Sequence, residues 1–291
     1  MIAFIWSLAA LGGDAISYSA VPVVEHGAAA PTLTVHPTVD GRVAVSLTCG
    51  SRTWELDQAI APGRDVTLTL DGMEEGTWSC RGTLTLNAAD GRVGEMPLHL
   101  EMASLPIIQF TYALEDIDLD LNTLVVHPSR PLGNAEVQII GEGAAILANA
   151  AADLSDPMNP TFRWTSEAEV VKLVVTGTDQ HGFRSQLDLS PWSYAIPHDD
   201  VVFATGQHVI ADEEVAKLDS CWADVLDVQR RYGTVVVIEL YVGGYTDTVG
   251  SEASNQGLSE RRARAIATWF RRRGFSGKVY YQGFGEDGQA V

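Results

Sequence analysis

Gly244-Tyr245-Thr246-Asp247-Thr248-Val249-Gly250-Ser251-Glu252-Ala253-Ser254-Asn255-Gln256-Gly257-Leu258-Ser259-Glu260-Arg261-Arg262-Ala263 decides the reading of this 291-residue chain. Before it, Thr234 to Val242 is a nearly continuous apolar run, the pattern of a strand buried on both faces. After it, a helical period runs from about Asn255 to Arg273 and stops at Gly274. Asp247 therefore falls just past the end of a strand, at the sheet edge where α/β sites form. At about 100° per residue, Leu258, Arg262, Ala265, Ile266 and Trp269 fall in one stripe of the helix, while Arg264 and Arg271 point away. An inward guanidinium at Arg262 needs a carboxylate partner or an anionic ligand. Two readings stay open. One is a structural Asp247–Arg262 ion pair. The other is a crevice for a small zwitterion, with Asp247 taking an ammonium and Arg262 forking onto a carboxylate.

The elements around this segment make the last third of the chain α/β. Val201 to Ala204 reads as a short strand, and an amphipathic helix follows from about Asp212 to Arg231 with Val215, Leu218, Trp222, Val225 and Leu226 on one face. Lys278-Val279-Tyr280-Tyr281 opens another strand. Alternating strands and helices place helices on a sheet. The polar connector Pro191 to Asp200 separates this part from what precedes it.

Upstream, the period is 2. From Pro31 to Glu101, short alternating segments such as Val43-Ala44-Val45-Ser46-Leu47 and Val66-Thr67-Leu68-Thr69-Leu70 recur between Asp-Gly, Pro-Gly and Glu-Gly turns. A second series runs from about Leu105 to Trp192 and includes Val170 to Val175. Both series predict small antiparallel, immunoglobulin-like β-sandwiches, at residues 21–102 and 103–195. A rival reading joins residues 21–195 into one outer-membrane β-barrel, but the strands are short for a span and no aromatic girdle recurs at their ends. Cys49 and Cys80 lie in the first series, either bridged across the sandwich, which implies an oxidising compartment, or left as two buried thiols. Cys221 reads as an inert helical thiol.

Residues 1–20 begin with an apolar run, Met1 to Leu11, too short to span a bilayer and similar to the core of a secretory signal, although its first cation is Arg42. Apolar residues make up 46% of the chain, enough for real cores, so disorder is excluded. The net charge of −19 repels polyphosphate and argues against nucleic-acid binding. That charge is uneven: residues 1–197 carry −15 and residues 198–291 only −4, which marks the last third as a separate module. His198-Asp199-Asp200 reads as solvated linker, and no Gly-x-Ser-x-Gly, HExxH or phosphate loop occurs. The expectation is a protein without catalysis, metal or cofactor.

With these residues in place, the sequence resembles the OmpA-like peptidoglycan-binding domain. Gly244-Tyr245-Thr246-Asp247, Gly250, Asn255, Leu258-Ser259 and Arg262-Ala263 match its run G-[HY]-T-D-x-x-G, N-x-x-L-S-x-x-R-A, and Gly283-Phe284-Gly285-Glu286 matches its G-x-G-E turn. The resemblance covers roughly residues 199–289, within a domain set at 199–291. It implies a βαβαβ mixed sheet and binding of diaminopimelate in the peptidoglycan peptide stem, with the clasping roles falling on Asp247 and Arg262. Thr246, Asn255, Leu258 and Ser259 would line that site. It further implies a periplasmic, outer-membrane-associated protein whose sandwiches act as spacers or contact other envelope proteins. A wall-anchored motor stator or envelope enzyme is a further alternative. Tyr245 stands where many family members have His. Members usually continue through a helix and a final strand with an N-R-R run, so ending at Val291 implies a sheet short of that strand.

Overall fold

In a computed structural model of the chain, the described residues are 4–7, as backbone only, and 15–287. The first part is built from two sheets that share one core. Strands Phe4–Ser7, Ile16–Val21, Thr32–Pro37 and Val66–Thr69 form an antiparallel four-stranded sheet in that order. The second sheet has five strands, ordered Val23–Glu25, Val93–Leu105, Gly76–Ala88, Gly41–Cys49 and Arg52–Ile60. Period-2 patterning puts Ile16, Leu33, Val35 and Leu68 of one sheet against Val45, Leu47, Leu84, Leu98 and Met102 of the other, all buried. Because Ala15, Ile16, Tyr18 and Ala20 belong to this core, the unit starts before residue 21. The expected signal segment otherwise falls largely on residues 1–3 and 8–14, outside the described residues.

Cys49 and Cys80 sit directly opposite each other on neighbouring strands of the five-stranded sheet, their sulfurs bonded at 1.98 Å. The link lies within one sheet rather than between the two.

A second core gathers Leu124, Val126, Phe162 and Trp164 against Val137, Ile139, Leu173 and Val175. The latter four belong to the sheet Ile146–Ala151, Leu132–Ile140, Lys172–Asp179, Arg184–Leu189. Leu124 and Phe162 come from the three-stranded sheet Ile117–Asp118, Thr123–Val125, Thr161–Arg163. Strand Val93–Leu105 runs past residue 102, so the two units meet a few residues later than the sequence suggested. The single-barrel alternative does not hold: the described strands before residue 190 divide among five sheets, and their inner faces are closed over packed side chains.

The C-terminal part contains helix α1 (Val215–Tyr232), helix α2 (Glu252–Arg273) and two parallel strands, Leu240–Gly244 and Val279–Gly283. The sheet is smaller than expected. Val201 to Ala204 forms no strand; the Val202 amide donates instead to Glu214 Oε2 at 2.7 Å. The run from Thr234 is not a strand buried on both faces either. Its amides at Val235 and Val236 return to the Tyr232 carbonyl (2.8 and 3.0 Å), Val237 is 84% exposed, and pairing starts only at Leu240.

Helix α1 buries Leu218, Val225, Val228 and Tyr232, while Leu226 faces solvent. Its end docks on the second β unit. Arg231 forks onto Glu142 with two bonds of 2.7 Å, and the Tyr232 hydroxyl donates to Glu169 Oε2 at 3.0 Å. Trp192 Nε1 donates to the other Glu169 oxygen at 3.0 Å, and the Trp192 and Tyr232 rings lie 4.4 Å apart. Val171 and Val228 close the contact. The Arg231 bonds hold the Glu142 carboxyl below its ordinary range, and burial raises the Tyr232 phenol.

Candidate functional site

Three short segments converge at the C-terminal end of strand Leu240–Gly244: the loop 245–250, the first turns of α2, and the turn 283–287. Glycine makes the approach possible. A β-carbon on Gly244 would stand 2.2 Å from the Ser259 carbonyl oxygen, so α2 crosses this strand closer than any side chain allows. Gly250, at φ +123°, turns the loop into the Ser251 cap, whose side chain accepts the Ser254 amide at 3.3 Å.

Hydrogen bonds then lock the segments together. Ser259, fully buried, donates to the Gln256 carbonyl and accepts the Gly285 amide, each at 2.9 Å. Thr246 donates its amide to the Gly285 carbonyl at 2.8 Å, and Phe284 donates to Gly244 at 2.9 Å. Buried Asn255 donates through Nδ2 to the Asp247 carbonyl (3.2 Å) and to Glu286 Oε2 (3.0 Å). Leu258 is half-buried beside them.

The two charges expected to matter stand apart from this scaffold. Asp247 is exposed, and among the described residues its carboxylate accepts only a local amide, Val249 at 3.2 Å. Arg262 is half-buried and held by backbone: Nε donates to the Gln207 carbonyl at 3.0 Å and Nη1 to the Tyr245 carbonyl at 3.3 Å. Its guanidinium also lies over the Phe203 ring, 5.2 Å from the centroid. Among the described residues neither Asp247 nor Arg262 has an ion-pair partner, so the structural ion pair does not form. Thr246 Oγ1 is buried with no hydrogen-bond partner among the described residues. The sequence missed Gln207, which carries no motif, and read Phe203 only as part of a strand, whereas Glu286 was visible in the G-x-G-E turn.

Arg262, Phe203 and Tyr245 also line a cleft of about 950 Å³ that continues along Leu240–Gly244 towards Tyr241 and Val237. No group of His, Cys, Asp and Glu side chains able to hold a metal occurs among the described residues.

Residues 202–291 match the model of the OmpA family. This part of the chain is an OmpA-family domain. Over 88 residues the sequence is 36% identical to Outer membrane protein A of Escherichia fergusonii and of Escherichia coli O157:H7, a match spanning 30% of this chain. It covers 34% and 24% of those proteins, so the chain spans between a quarter and a third of the length of the curated relatives it matches. Outer membrane protein A of Salmonella typhi is 34% identical over the same length. Among solved structures, a Bacteroides ovatus glucan-locus protein, SGBP-B in complex with a mixed-linkage heptasaccharide, matches 57% of this chain and 41% of its own at 12% identity and a TM-score of 0.19. The Pseudomonas aeruginosa CupB2 chaperone matches 55% of this chain and 91% of its own at 11% identity and a TM-score of 0.18. Scores that low carry no argument about the β-rich units. The Thr246–Asp247 loop and Arg262 both lie inside the OmpA-family domain.

Proposed function

We propose that the OmpA-family domain binds diaminopimelate-containing peptidoglycan without catalysis, anchoring a periplasmic, outer-membrane-associated protein to the wall. Asp247 receives the ammonium of the diaminopimelate amino-acid end, and Arg262 receives its carboxylate. Thr246, Asn255, Leu258 and Ser259 line and brace the site. The observation that carries this reading is that both charges are free of ion-pair partners among the described residues, while backbone carbonyls and an aromatic ring fix the guanidinium. A fixed arginine with N–H groups to spare forks onto a carboxylate at little ordering cost. The two β-rich units before the C-terminal domain are read as immunoglobulin-like sandwiches that space the domain from the membrane or contact other envelope proteins, and the Cys49–Cys80 bridge fits an oxidising periplasm.

The test is a pull-down of the full chain on diaminopimelate-type sacculi, with Asp247→Asn and Arg262→Ala alongside and folding followed by circular dichroism. Each variant should lose on the order of 2–3 kcal/mol of binding, because the surviving charge loses its partner. Folded wild type that stays in the supernatant refutes the anchor.

A further inference from the structure

Parallel sheets are normally covered on both faces. Among the described residues, the parallel pair Leu240–Gly244 and Val279–Gly283 is covered on one. Leu240, Val242, Val279 and Tyr281 turn to the helices, while Tyr241, Gly243, Tyr280 and Gln282 turn to solvent. What the open face carries is aromatic. Tyr241 and Tyr280 are register partners whose rings stack at 4.8 Å with planes 16° apart, and they are 76% and 40% exposed. Tyr245 and Phe284 stack in the same way at 5.3 Å and 16°, also largely exposed. The second pair leans over Gly243: a β-carbon there would meet the Tyr245 and Phe284 rings at 3.3 and 3.5 Å. The two pairs thus follow one another along the face, with Gly243 and its register partner Gln282 between them. Glu239 and Lys278 lie 3.6 Å apart at the Tyr241 end, and the Tyr241 hydroxyl donates to Glu239 at 3.5 Å.

We infer that this face binds the glycan strand of peptidoglycan, the Tyr241–Tyr280 pair stacking on an amino-sugar ring while the stem occupies Asp247 and Arg262. The inference rests on the diaminopimelate reading and extends it to the second half of the polymer. A sugar ring presents C–H groups on its faces and hydroxyls around its edge, which the outer ring face of the more exposed Tyr241, with carboxylate, ammonium and amide groups near it, complements. A protein or lipid partner would have to desolvate Glu239, Lys278 and the tyrosine hydroxyls for little apolar area. Tyr241 lies four residues, about 13 Å of extended chain, before Tyr245, which stands two residues from Asp247. A stem residue three positions from the sugar lies about 10 Å from it when extended.

Calorimetric titration of the full chain with two probes tests this. One is the diaminopimelate-ending tripeptide; the other is the same tripeptide on its N-acetylglucosaminyl–N-acetylmuramyl disaccharide. Wild type should bind the sugar-bearing probe about tenfold more tightly. Tyr241→Ala and Tyr241→Ala/Tyr280→Ala should erase that advantage while binding the bare tripeptide as wild type does. Equal affinity of wild type for both probes overturns the inference and leaves the diaminopimelate reading standing. An advantage that survives in the variants also overturns it. So does a wild-type dimer abolished by Tyr241→Ala, which would give the face to a second copy. Failure of both probes overturns both readings.

Discussion

Substituting Gly244→Ala tests the reasoning about the site most directly. The new β-carbon would stand 2.2 Å from the Ser259 carbonyl oxygen, 3.0 Å from the Ala263 β-carbon and 3.1 Å from the Ala263 nitrogen. Ordinary contact begins near 3.4 Å, so α2 must retreat from the strand by on the order of 1 Å. Overpacking of this kind costs roughly 1–3 kcal/mol. That would lower the melting temperature of a unit this size by about 4–8 °C for each kcal/mol lost. The retreat has a functional side as well. Arg262 and Asn255 ride on α2, whereas Thr246 and Asp247 ride on the loop that leaves the strand. Sacculus binding should therefore fall even at temperatures where the variant is fully folded. Because the nearest atom belongs to backbone, removing the Ala263 methyl should not help: Gly244→Ala/Ala263→Gly should bind and melt no better than Gly244→Ala. Calorimetry and the sacculus pull-down read both effects. Wild-type binding and melting in Gly244→Ala, or rescue by Ala263→Gly, would refute the account of how this site is held.

Ser259→Ala leaves the Gly285 amide buried without its acceptor, at a cost of about 1–3 kcal/mol, and hydrogen exchange of segment 279–287 should speed accordingly; unchanged exchange would contradict it. His127 has its pKa raised by the bonds to Asn159 and Asp116, so its protonated form favours the folded state. That stabilisation is complete below the unfolded value near 6.5 and lost as pH rises through the raised one. The second unit should melt higher at about pH 5.5 than at about pH 8, a difference that His127→Gln removes. The Cys49–Cys80 link closes a loop of sequence separation 31, so reduction or Cys49→Ser/Cys80→Ser should cost the first unit about 3–4 kcal/mol on the chain-entropy account. An unchanged melt with dithiothreitol would show that the link adds nothing.

The run from Gly244 to Ala263 made the candidate site legible because its information is local: a strand end, a cap, and a helix whose residues three and four apart share a face. What it could not disclose is distant. Gln207, which fixes Arg262, lies 55 residues away, and although Glu286 stands out in its own turn, its bond to Asn255, 31 residues before it, does not. The buried stripe of α2 also runs one position off the apolar one, through Asn255, Ser259, Ala263, Ala267 and Phe270. Hydrophobicity favours Leu258, Ile266 and Trp269, but close approach to Gly244 favours small side chains, and the small ones won. Thr234 to Glu239 looked like strand because valine and isoleucine suit a pleated sheet; without a neighbouring strand to pair with, the segment follows the Tyr232 carbonyl instead.

The joint between α1 and the second β unit has a mechanical consequence. Residues 190–200 run without strand partners, and eleven extended residues span at most about 36–40 Å. Slack on that scale would let the C-terminal domain and the rest of the chain drift apart under tension. The Arg231–Glu142 fork and the Tyr232–Glu169–Trp192 contacts hold the ends of that segment together in parallel with it, so a pull on the C-terminal domain is met first by the joint. Only a force that shears those bonds and wets Val171 and Val228 releases the extra length. The chain is a stiff strut up to that threshold and an extensible cord beyond it.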